Sequence, residues 1–433
     1  MARQRESNPI DLWRAIEQAG SIDAYVNQQL SERGFLVERR ETDGMSKREL
    51  AAYKKQLKGE AAEKKQLKKD AWQAYKANHI VHLGEGIYWH DEDDWDKWDV
   101  DNAEERAAAN ELPPLDSPKQ LAEALDMSVA ELRWLTYHRE AATRVHYYHF
   151  SIPKRDGTER PIWAPMTKLK TAQSWILREV LERLIVHGAS HGFLPGRSTL
   201  TNATVHRDSQ IVLKMDIKNF FPSVTYPRVK GVFRGAGYRE QIATLLALLC
   251  TEPPRETVEH EGKPFFIAMG PRCLPQGAPT SPAITNTLCR RMDHRLAGVA
   301  KKYGWRYTRY ADDLTFSLPK AHQSDPHIGS MIGLVTRIAA AEGFEIHTKK
   351  TRLARGGRRQ TVTGLVVNGH GTPRVPRKIK RQVRAMIHNL RNGKSLQEGD
   401  TTETLKGLAA YVYMAEPELG SELLSAIEQL RQP

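Results

Sequence analysis

Tyr310-Ala311-Asp312-Asp313 lies between Trp305-Arg306-Tyr307-Thr308-Arg309 and Leu314-Thr315-Phe316-Ser317, two stretches rich in β-branched and aromatic residues. That pattern predicts two short strands joined by a tight turn, with both carboxylates at its tip. Adjacent carboxylates repel, so a fold gains nothing by placing them together unless a cation sits between them. Asp is also a common turn former, and a solvated Asp-Asp turn reads from the same residues.

A second acidic anchor stands upstream, in Ile211-Val212-Leu213-Lys214-Met215-Asp216-Ile217-Lys218-Asn219-Phe220-Phe221-Pro222. A mostly apolar run of strand length ends at Asp216, and a loop with two aromatic residues follows. An Asp at the end of a buried strand costs desolvation unless it meets a cation or donors; a capping Asp is the alternative. Together Asp216, Asp312 and Asp313 supply three carboxylates from two separate strands. Mg²⁺ is a hard, oxygen-bound ion that takes few carboxylates, completed by phosphates and water. Two such ions about 4 Å apart suit phosphoryl transfer.

The chain has 433 residues, enough for two or three domains with a sizeable core. Its 65 Lys and Arg against 52 Asp and Glu give a net charge of +13, which favours a polyanionic partner, nucleic acid before an anionic membrane. Cys250, Cys273 and Cys289 are odd in number and lack metal-ligand spacing, which suits a reduced cytoplasmic protein without disulfides or structural zinc. No stretch reads as a signal peptide or membrane span.

Residues 1–115 read as a charged, mostly helical extension. Met45 to Asn78 is free of Pro, rich in Lys, Ala and Glu, and holds the near-repeat AAYKKQLKGE–AAEKKQLKKD, which predicts a long exposed basic helix. It reads either as a solvated face or as an arm touching RNA phosphates or a partner protein. Tyr88 to Asp99 is acidic and studded with Trp; His90, Asp91 and Asp93 could be drawn as metal ligands, but an acidic docking surface is the preferred reading. Leu112-Pro113-Pro114 marks a boundary. Helices opening at Ser117-Pro118 and Ser128 form a lead-in over 116–145.

Tyr147 to Pro165, YYHFSIPKRDGTERPIWAP, reads as a hairpin around Lys154-Arg155-Asp156-Gly157. From it Lys154, Arg155 and Arg160 could clamp a triphosphate, Arg in bidentate fashion. A helix is expected over Lys168–His187. In His191-Gly192-Phe193-Leu194-Pro195-Gly196-Arg197-Ser198 the glycines allow close backbone approach to a ligand and Arg197 could bind phosphate. Leu274-Pro275-Gln276-Gly277-Ala278-Pro279-Thr280-Ser281-Pro282 feeds a helix with Ser281 as N-cap and Pro282 at N1, and could place Gln276 against a base pair or sugar.

Taken in order, Lys154–Pro165, His191–Ser198, Val212–Ser223, Pro275–Asn286, Thr308–Ser317, Gly343–Thr351 and Val362–Gly364 resemble the successive blocks of a reverse transcriptase. They span residues 150–370. Asn202-Ala203-Thr204-Val205-His206 and Val362-Thr363-Gly364 resemble the Asn-Ala-x-x-His and Val-Thr-Gly signatures of the bacterial retron branch. From the residues alone these are a polar helix start and a strand.

The resemblance implies an α+β right-hand polymerase: fingers and a palm with an antiparallel sheet over 116–368, and a helical thumb over 369–433. Asp216, Asp312 and Asp313, with the Ile217 backbone, become the ligands of two Mg²⁺ ions. Phe221 matches the steric gate that favours dNTPs, Gln276 the residue beneath the incoming nucleotide, and Arg160 with Lys154 or Arg155 the triphosphate contacts. Lys349 or Lys350 matches the lysine that protonates pyrophosphate, whereas His347 reads as structural. Nucleic-acid contacts are implied for Arg197, Asn202, His206, Val362, Thr363 and Gly364. The thumb residues Arg377, Lys378, Arg381 and Arg384 are expected on the backbone of an RNA hairpin or hybrid.

The retron likeness further implies a cognate structured non-coding RNA, primed from a guanosine 2′-OH and copied into branched RNA–DNA (msDNA). Antiphage defence beside an effector protein and template removal by a host RNase H would accompany it. A group II intron-like enzyme and a nucleic-acid-bound scaffold that restrains a toxic effector are the rival readings.

Overall fold

The computed structural model describes residues 9–80, 82–87, 101–153, 157–323, 325–368, 371–396 and 399–430. The acidic Trp-rich stretch from Tyr88 to Asp99, with His90, Asp91 and Asp93, and the hairpin-tip residues Lys154 and Arg155 lie outside them.

Helices α1 (Pro9–Gln18), α2 (Ile22–Glu32) and α3 (Lys47–Asn78) pack around a small apolar centre of Ile16, Tyr25, Val26, Leu30, Leu67, Ala71 and Ala74. Helix α3 starts two residues after the expected Met45 because Ser46 and Glu49 form a reciprocal capping box. Its continuation, Ile80, Leu83 and Ile87, joins a much larger core together with Leu112 and Leu115. The expected boundary at 115 therefore falls inside a continuous apolar core, because the chain after Asn78 already packs against the helices that follow.

Next come α4 (Ala103–Ala109), α5 (Pro118–Ala124) and α6 (Val129–Thr136), the latter two capped by Ser117 and Ser128 as their sequences predict. Strand β1 (Ala141–Ala142) precedes a hairpin of β2 (Tyr147–Pro153) and β3 (Glu159–Pro165). Helix α7 (Thr167–Glu179) ends eight residues short of the expected His187: Val180 leaves helical geometry and a 3₁₀ turn at Leu181–Arg183 redirects the chain. Then follow α8 (Thr199–Val205), β4 (Ser209–Asp216), α9 (Tyr226–Ala236), α10 (Glu240–Cys250), the hairpin β5 (Arg255–His260) and β6 (Lys263–Ala268), α11 (Ser281–Leu288) and α12 (Arg290–Lys302). Helix α11 begins a residue earlier than expected, with Thr280 at the cap, and the Ser281 hydroxyl instead donates to the Pro275 carbonyl.

Strands β7 (Arg306–Tyr310) and β8 (Asp313–Pro319), helix α13 (Ile328–Ala341) and strand β9 (Arg352–Arg355) complete the centre. The sheet they form is antiparallel, ordered β7-β8-β4-β9. Its strands alternate as a two-sided sheet must. Ile211, Leu213 and Met215 of β4 and Leu314, Phe316 and Leu318 of β8 enter the large core. Val212 faces the other way, into a separate apolar cluster with the C-terminal helices, so Lys214 and Asp216 share its face.

Strands β10 (Thr361–Val362) and β11 (Leu365–Val366) form a two-residue hairpin. Helices α14 (Arg377–Arg391), α15 (Thr402–Ala415) and α16 (Pro417–Gln429) close the chain around Val383, Met386, Leu405, Val412 and Ile427. Arg377, Lys378, Arg381 and Arg384 of α14 are exposed. Lys380 is not part of that basic surface: Glu416 holds it at 2.8 Å.

Candidate active site

The register of β4 on β8 decides where the acids go. Asp216 pairs directly with Asp313, so the two side chains leave the sheet on one face. Asp312 sits in the two-residue turn between β7 and β8, whose ends pair as Tyr310 with Asp313. Its carbonyl accepts from the Ile217 amide at 2.9 Å, tying the turn to the end of β4. Ala311 holds a left-handed φ of 54°, a conformation that an alanine adopts at a cost.

The turn is braced from behind. A Cβ on Gly192 would come within 2.8 Å of the Ala311 amide nitrogen. The close approach predicted for this glycine is thus made to the acidic turn rather than to a ligand. Arg309 and Asp293 are wholly buried and ion-paired at 2.8 Å. Arg309 also donates to Asn286 Oδ1 at 3.0 Å and to the Ala311 carbonyl, and Tyr307 donates to Asp293 at 2.8 Å. Sequence reasoning missed this network; its one signal was the period-2 pairing of Tyr307 with Arg309, which sends both inward.

A cleft of about 700 Å³ opens over the turn. Into it converge Arg160 from β3, Asp216, Ile217 and Phe221 from the end of β4 and its loop, Gln276, Asp312 and Lys350. Gln276 is held by its backbone, whose carbonyl accepts from the Trp163 amide at 2.7 Å. Gly277 makes this possible, since a Cβ there would meet the Trp163 carbonyl oxygen at 2.9 Å. His347 also lines the cleft, and its amide donates to the Asp216 carbonyl. Lys349 is exposed beside the cleft rather than lining it.

Burial raises the pKa of Asp312, and the neighbouring charges of Asp216 and Asp313 raise it further. Burial raises Asp313 too, opposed by Lys214, whose Nζ lies 2.8 Å from Oδ2. Lys350 Nζ lies 3.0 Å from Asp216 Oδ1. Among the described residues no group of three or more His, Cys, Asp or Glu is preset as a metal cage. Lysines occupy two of the three carboxylates. The donor set itself fits a hard divalent cation: it is all oxygen, and its mutual repulsion is what such an ion relieves.

Arg197 is exposed, with its guanidinium donating to the Gly188 carbonyl. Asn202, His206 and Val362, expected to touch nucleic acid, are fully buried. The His206 ring bridges Ser317 Oγ at 2.7 Å and Thr308 Oγ1 at 2.6 Å, plugging the polar face of the sheet under α8. Asn202 lies 3.4 Å from Thr363 Oγ1, and Thr363 donates to the Thr199 carbonyl. The two short signatures therefore meet each other. Val362 ends β10 as the strand reading expects, and Thr363-Gly364 forms the turn to β11, with positive φ at both. Tyr411 of α15 fills the space beside Gly364, so this turn joins the sheet to the C-terminal helices.

Burial drives the His206 pKa down to about 3, and burial takes His138 and His191 to about 4. Each stays neutral in the fold while its unfolded counterpart takes up a proton below about 6.5. The unfolded state then binds more protons, so stability should fall as pH drops from 6.5 towards 4, by up to about 1.4 kcal/mol per pH unit for each histidine. Urea midpoints across that range check this, and His206→Asn should flatten the slope.

Carboxylates on facing strands of an antiparallel sheet, beneath a hairpin and beside a helical C-terminal unit, define a right-hand polymerase. The reverse transcriptase (RNA-dependent DNA polymerase) family profile matches residues 152–389. The chain is 49% identical over 427 residues to the retron Mx162 reverse transcriptase of Myxococcus xanthus, covering 96% of this chain and 88% of that protein. It is 42% identical to the retron Mx65 reverse transcriptase of the same organism over 72% of this chain and 71% of that one. To the retron Ec86 reverse transcriptase of Escherichia coli it is 31% identical, over 74% and 91%. The chain belongs to the reverse transcriptases, RNA-directed DNA polymerases that use divalent metal ions, and within them to the retron branch. An RNA template is therefore a partner. Among the described residues no helix is long and apolar enough to cross a membrane.

Proposed function

We propose that the chain reverse transcribes a cognate structured non-coding RNA, starts from a guanosine 2′-OH, and builds branched RNA–DNA (msDNA) that serves antiphage defence. The observation that carries the chemistry is the placement of Asp216 opposite Asp313 on the sheet, with Asp216 and Asp312 lining the cleft shared by Arg160, Phe221 and Gln276. Fingers and palm would occupy 116–368 and the thumb 369–433. An effector protein and a host RNase H are proposed partners, and the cytoplasm the proposed location.

Asp216, Asp312 and Asp313, with the Ile217 carbonyl, would hold two Mg²⁺ ions. When bound, these supply the positive charge that activates the attacking hydroxyl and stabilises the departing pyrophosphate. The chain's own groups do the rest. Arg160, with Lys154 and Arg155 of the hairpin tip, orients the triphosphate of the dNTP. Gln276 supports the nucleotide from its anchored loop. Lys350 reaches the cleft and is a better candidate than Lys349 for donating a proton to pyrophosphate. Thr363, Gly364 and Arg197 would lie along the nucleic acid at the junction with the thumb. Arg377, Lys378, Arg381 and Arg384 form an exposed cationic surface that fits its phosphates.

Phe221 is half-buried against the core, its ring tilted by 44° against that of Phe220 at 5.5 Å. Its ring would clash with a ribose 2′-OH, so Phe221→Val should raise rNTP incorporation relative to dNTP by about 10- to 200-fold. Single-nucleotide extension with each substrate measures it, and an unchanged ratio removes Phe221 from this role. The assignment as a whole is tested by purifying the protein from its native host and sequencing the nucleic acid that comes with it. A branched RNA–DNA species supports the reading, and ordinary mixed cellular RNA counts against it.

A further inference from the structure

The outer face of α3 has no part in the cleft. Its sequence carries ten basic residues against four acidic ones over 32 residues, about 48 Å of helix. The two signs are sorted onto opposite faces. Lys47, Lys54, Lys58, Lys65, Lys69 and Lys76 recur at alternating steps of seven and four residues. At 100° per residue those steps shift by about −20° and +40°, so all six fall within one narrow arc about 44 Å long. The face opposite carries Leu67, Ala71 and Ala74 into the small apolar centre.

The acids lie away from that arc and are engaged within the extension, Asp70 by the Gln66 amide at 2.9 Å. Glu49 closes the capping box, Glu60 holds Arg39 and Glu63 holds Arg33. Among the described residues the ion pair of an α3 lysine is Lys68 with Asp23, off the arc, and none of the six makes one.

A second feature sits in the same arc. Trp72 is 47% exposed, stacks on Tyr75 at 5.4 Å with 8° between planes, and Tyr75 stacks on His79 at 4.3 Å and 5°. Trp13 packs edge-on against Tyr75 and His79, which fixes the column from the side. The column of rings ends at Trp72, and Lys76 Nζ lies 5.8 Å from the centroid of that ring. A flat ring held rigid at the end of a stack, flanked by Lys69 and Lys76, is what a base with adjacent phosphates requires.

We propose that this face of α3 is a second RNA-binding surface, separate from the cleft, on which the lysine stripe follows an RNA phosphate backbone and Trp72 stacks an unpaired base. The proposal rests on the chain's assignment as an RNA-copying enzyme. Phosphates fit better than an acidic protein surface for two reasons: the stripe is long, regular and of one sign, and an aromatic platform lies within it.

The test uses the full chain and a labelled RNA hairpin with a stem of about 16 base pairs and a 3′ single-stranded tail, titrated by anisotropy over a KCl series. Replacing Lys54, Lys58, Lys65 and Lys69 together by Gln should weaken binding about 10- to 100-fold and reduce the slope of log affinity against log salt by about 3. The matching fourfold Arg variant should keep both. Extension of poly(rA)·oligo(dT) should stay within about twofold, since that short substrate occupies the cleft. Trp72→Ala should weaken the tailed hairpin by about fivefold or more while sparing a blunt one, and Trp72→Phe should restore it.

An unchanged salt slope in the Gln variant overturns the proposal, whatever protein the helix then proves to bind. Equal losses on tailed and blunt hairpins overturn the stacking role. If the unmodified chain fails to extend poly(rA)·oligo(dT), the polymerase assignment is what fails, and the slope comparison still judges the stripe.

Discussion

Asp312→Asn and Asp313→Asn should each reduce Mg²⁺-dependent cDNA synthesis by about three orders of magnitude or more, roughly 4 kcal/mol of transition-state stabilisation. Neither change should weaken RNA binding or the fold. Asp312 should work against folding when no cation is present, because burial and the charges of Asp216 and Asp313 raise its pKa. For a carboxyl with a raised folded pKa, the charged form destabilises the fold, and that cost appears as pH rises through the folded value. Asp312→Asn should therefore melt at the same or a higher temperature than the parent at neutral pH in metal-free buffer, and lose this advantage below about pH 4. Asp313→Asn gains less, because it leaves Lys214 without its 2.8 Å partner. Primer extension and thermal melts on the same preparations measure both effects. Synthesis that persists in both variants would sink the catalytic assignment, and a large fall in melting temperature would recast the acids as structural.

Asp293→Ala should cost about 3–5 kcal/mol of stability, since it strands the fully buried Arg309 guanidinium without its counter-charge. Asp293 also accepts from the Tyr307 hydroxyl, which would lose that partner. Replacing the pair together, Asp293→Leu with Arg309→Met, should recover most of the stability, because apolar groups of similar size can replace a buried ion pair. Activity should not recover with it. Arg309 holds the Ala311 carbonyl and Asn286 behind the acidic turn, and Met offers no donors to either. Urea unfolding read beside kcat separates the two consequences. A double variant that regains full activity would show that the pair acts on stability alone.

Much of the centre is legible in the chain. The strands flanking Tyr310 to Asp313 follow from β-branched and aromatic residues, and the strand ending at Asp216 from its apolar run. The caps at Ser117 and Ser128 announce their helices, because a side-chain acceptor three residues before an orphan amide is a local matter. Local rules fail where the partner is distant. Asn202 and His206 read as a polar helix start, yet both are buried, one against Thr363 and the other between Thr308 and Ser317. Gly192 reads as a ligand-facing glycine and instead admits the backbone of Ala311. The helix expected through His187 stops at Glu179 because the chain must turn toward the sheet, which propensity does not record.

What the sequence by itself determined is the chemistry on offer: two acidic anchors on short strands, a basic chain, the aromatic Phe221 and the motif order of a reverse transcriptase. What the tertiary structure decided is which of these meet. Asp216 stands opposite Asp313 because the β4–β8 register runs unbroken from Ile211 to Asp216, its one irregularity lying at the far end between Ser209 and Ile211; a slip of one in that run would turn every core side chain of β4 towards the other face. The buried Arg309–Asp293 pair and the glycine contacts then hold the turn where that register needs it. Strand character is written in neighbouring residues, whereas convergence depends on packing across nearly a hundred positions of chain, and only burial of the whole sheet enforces it.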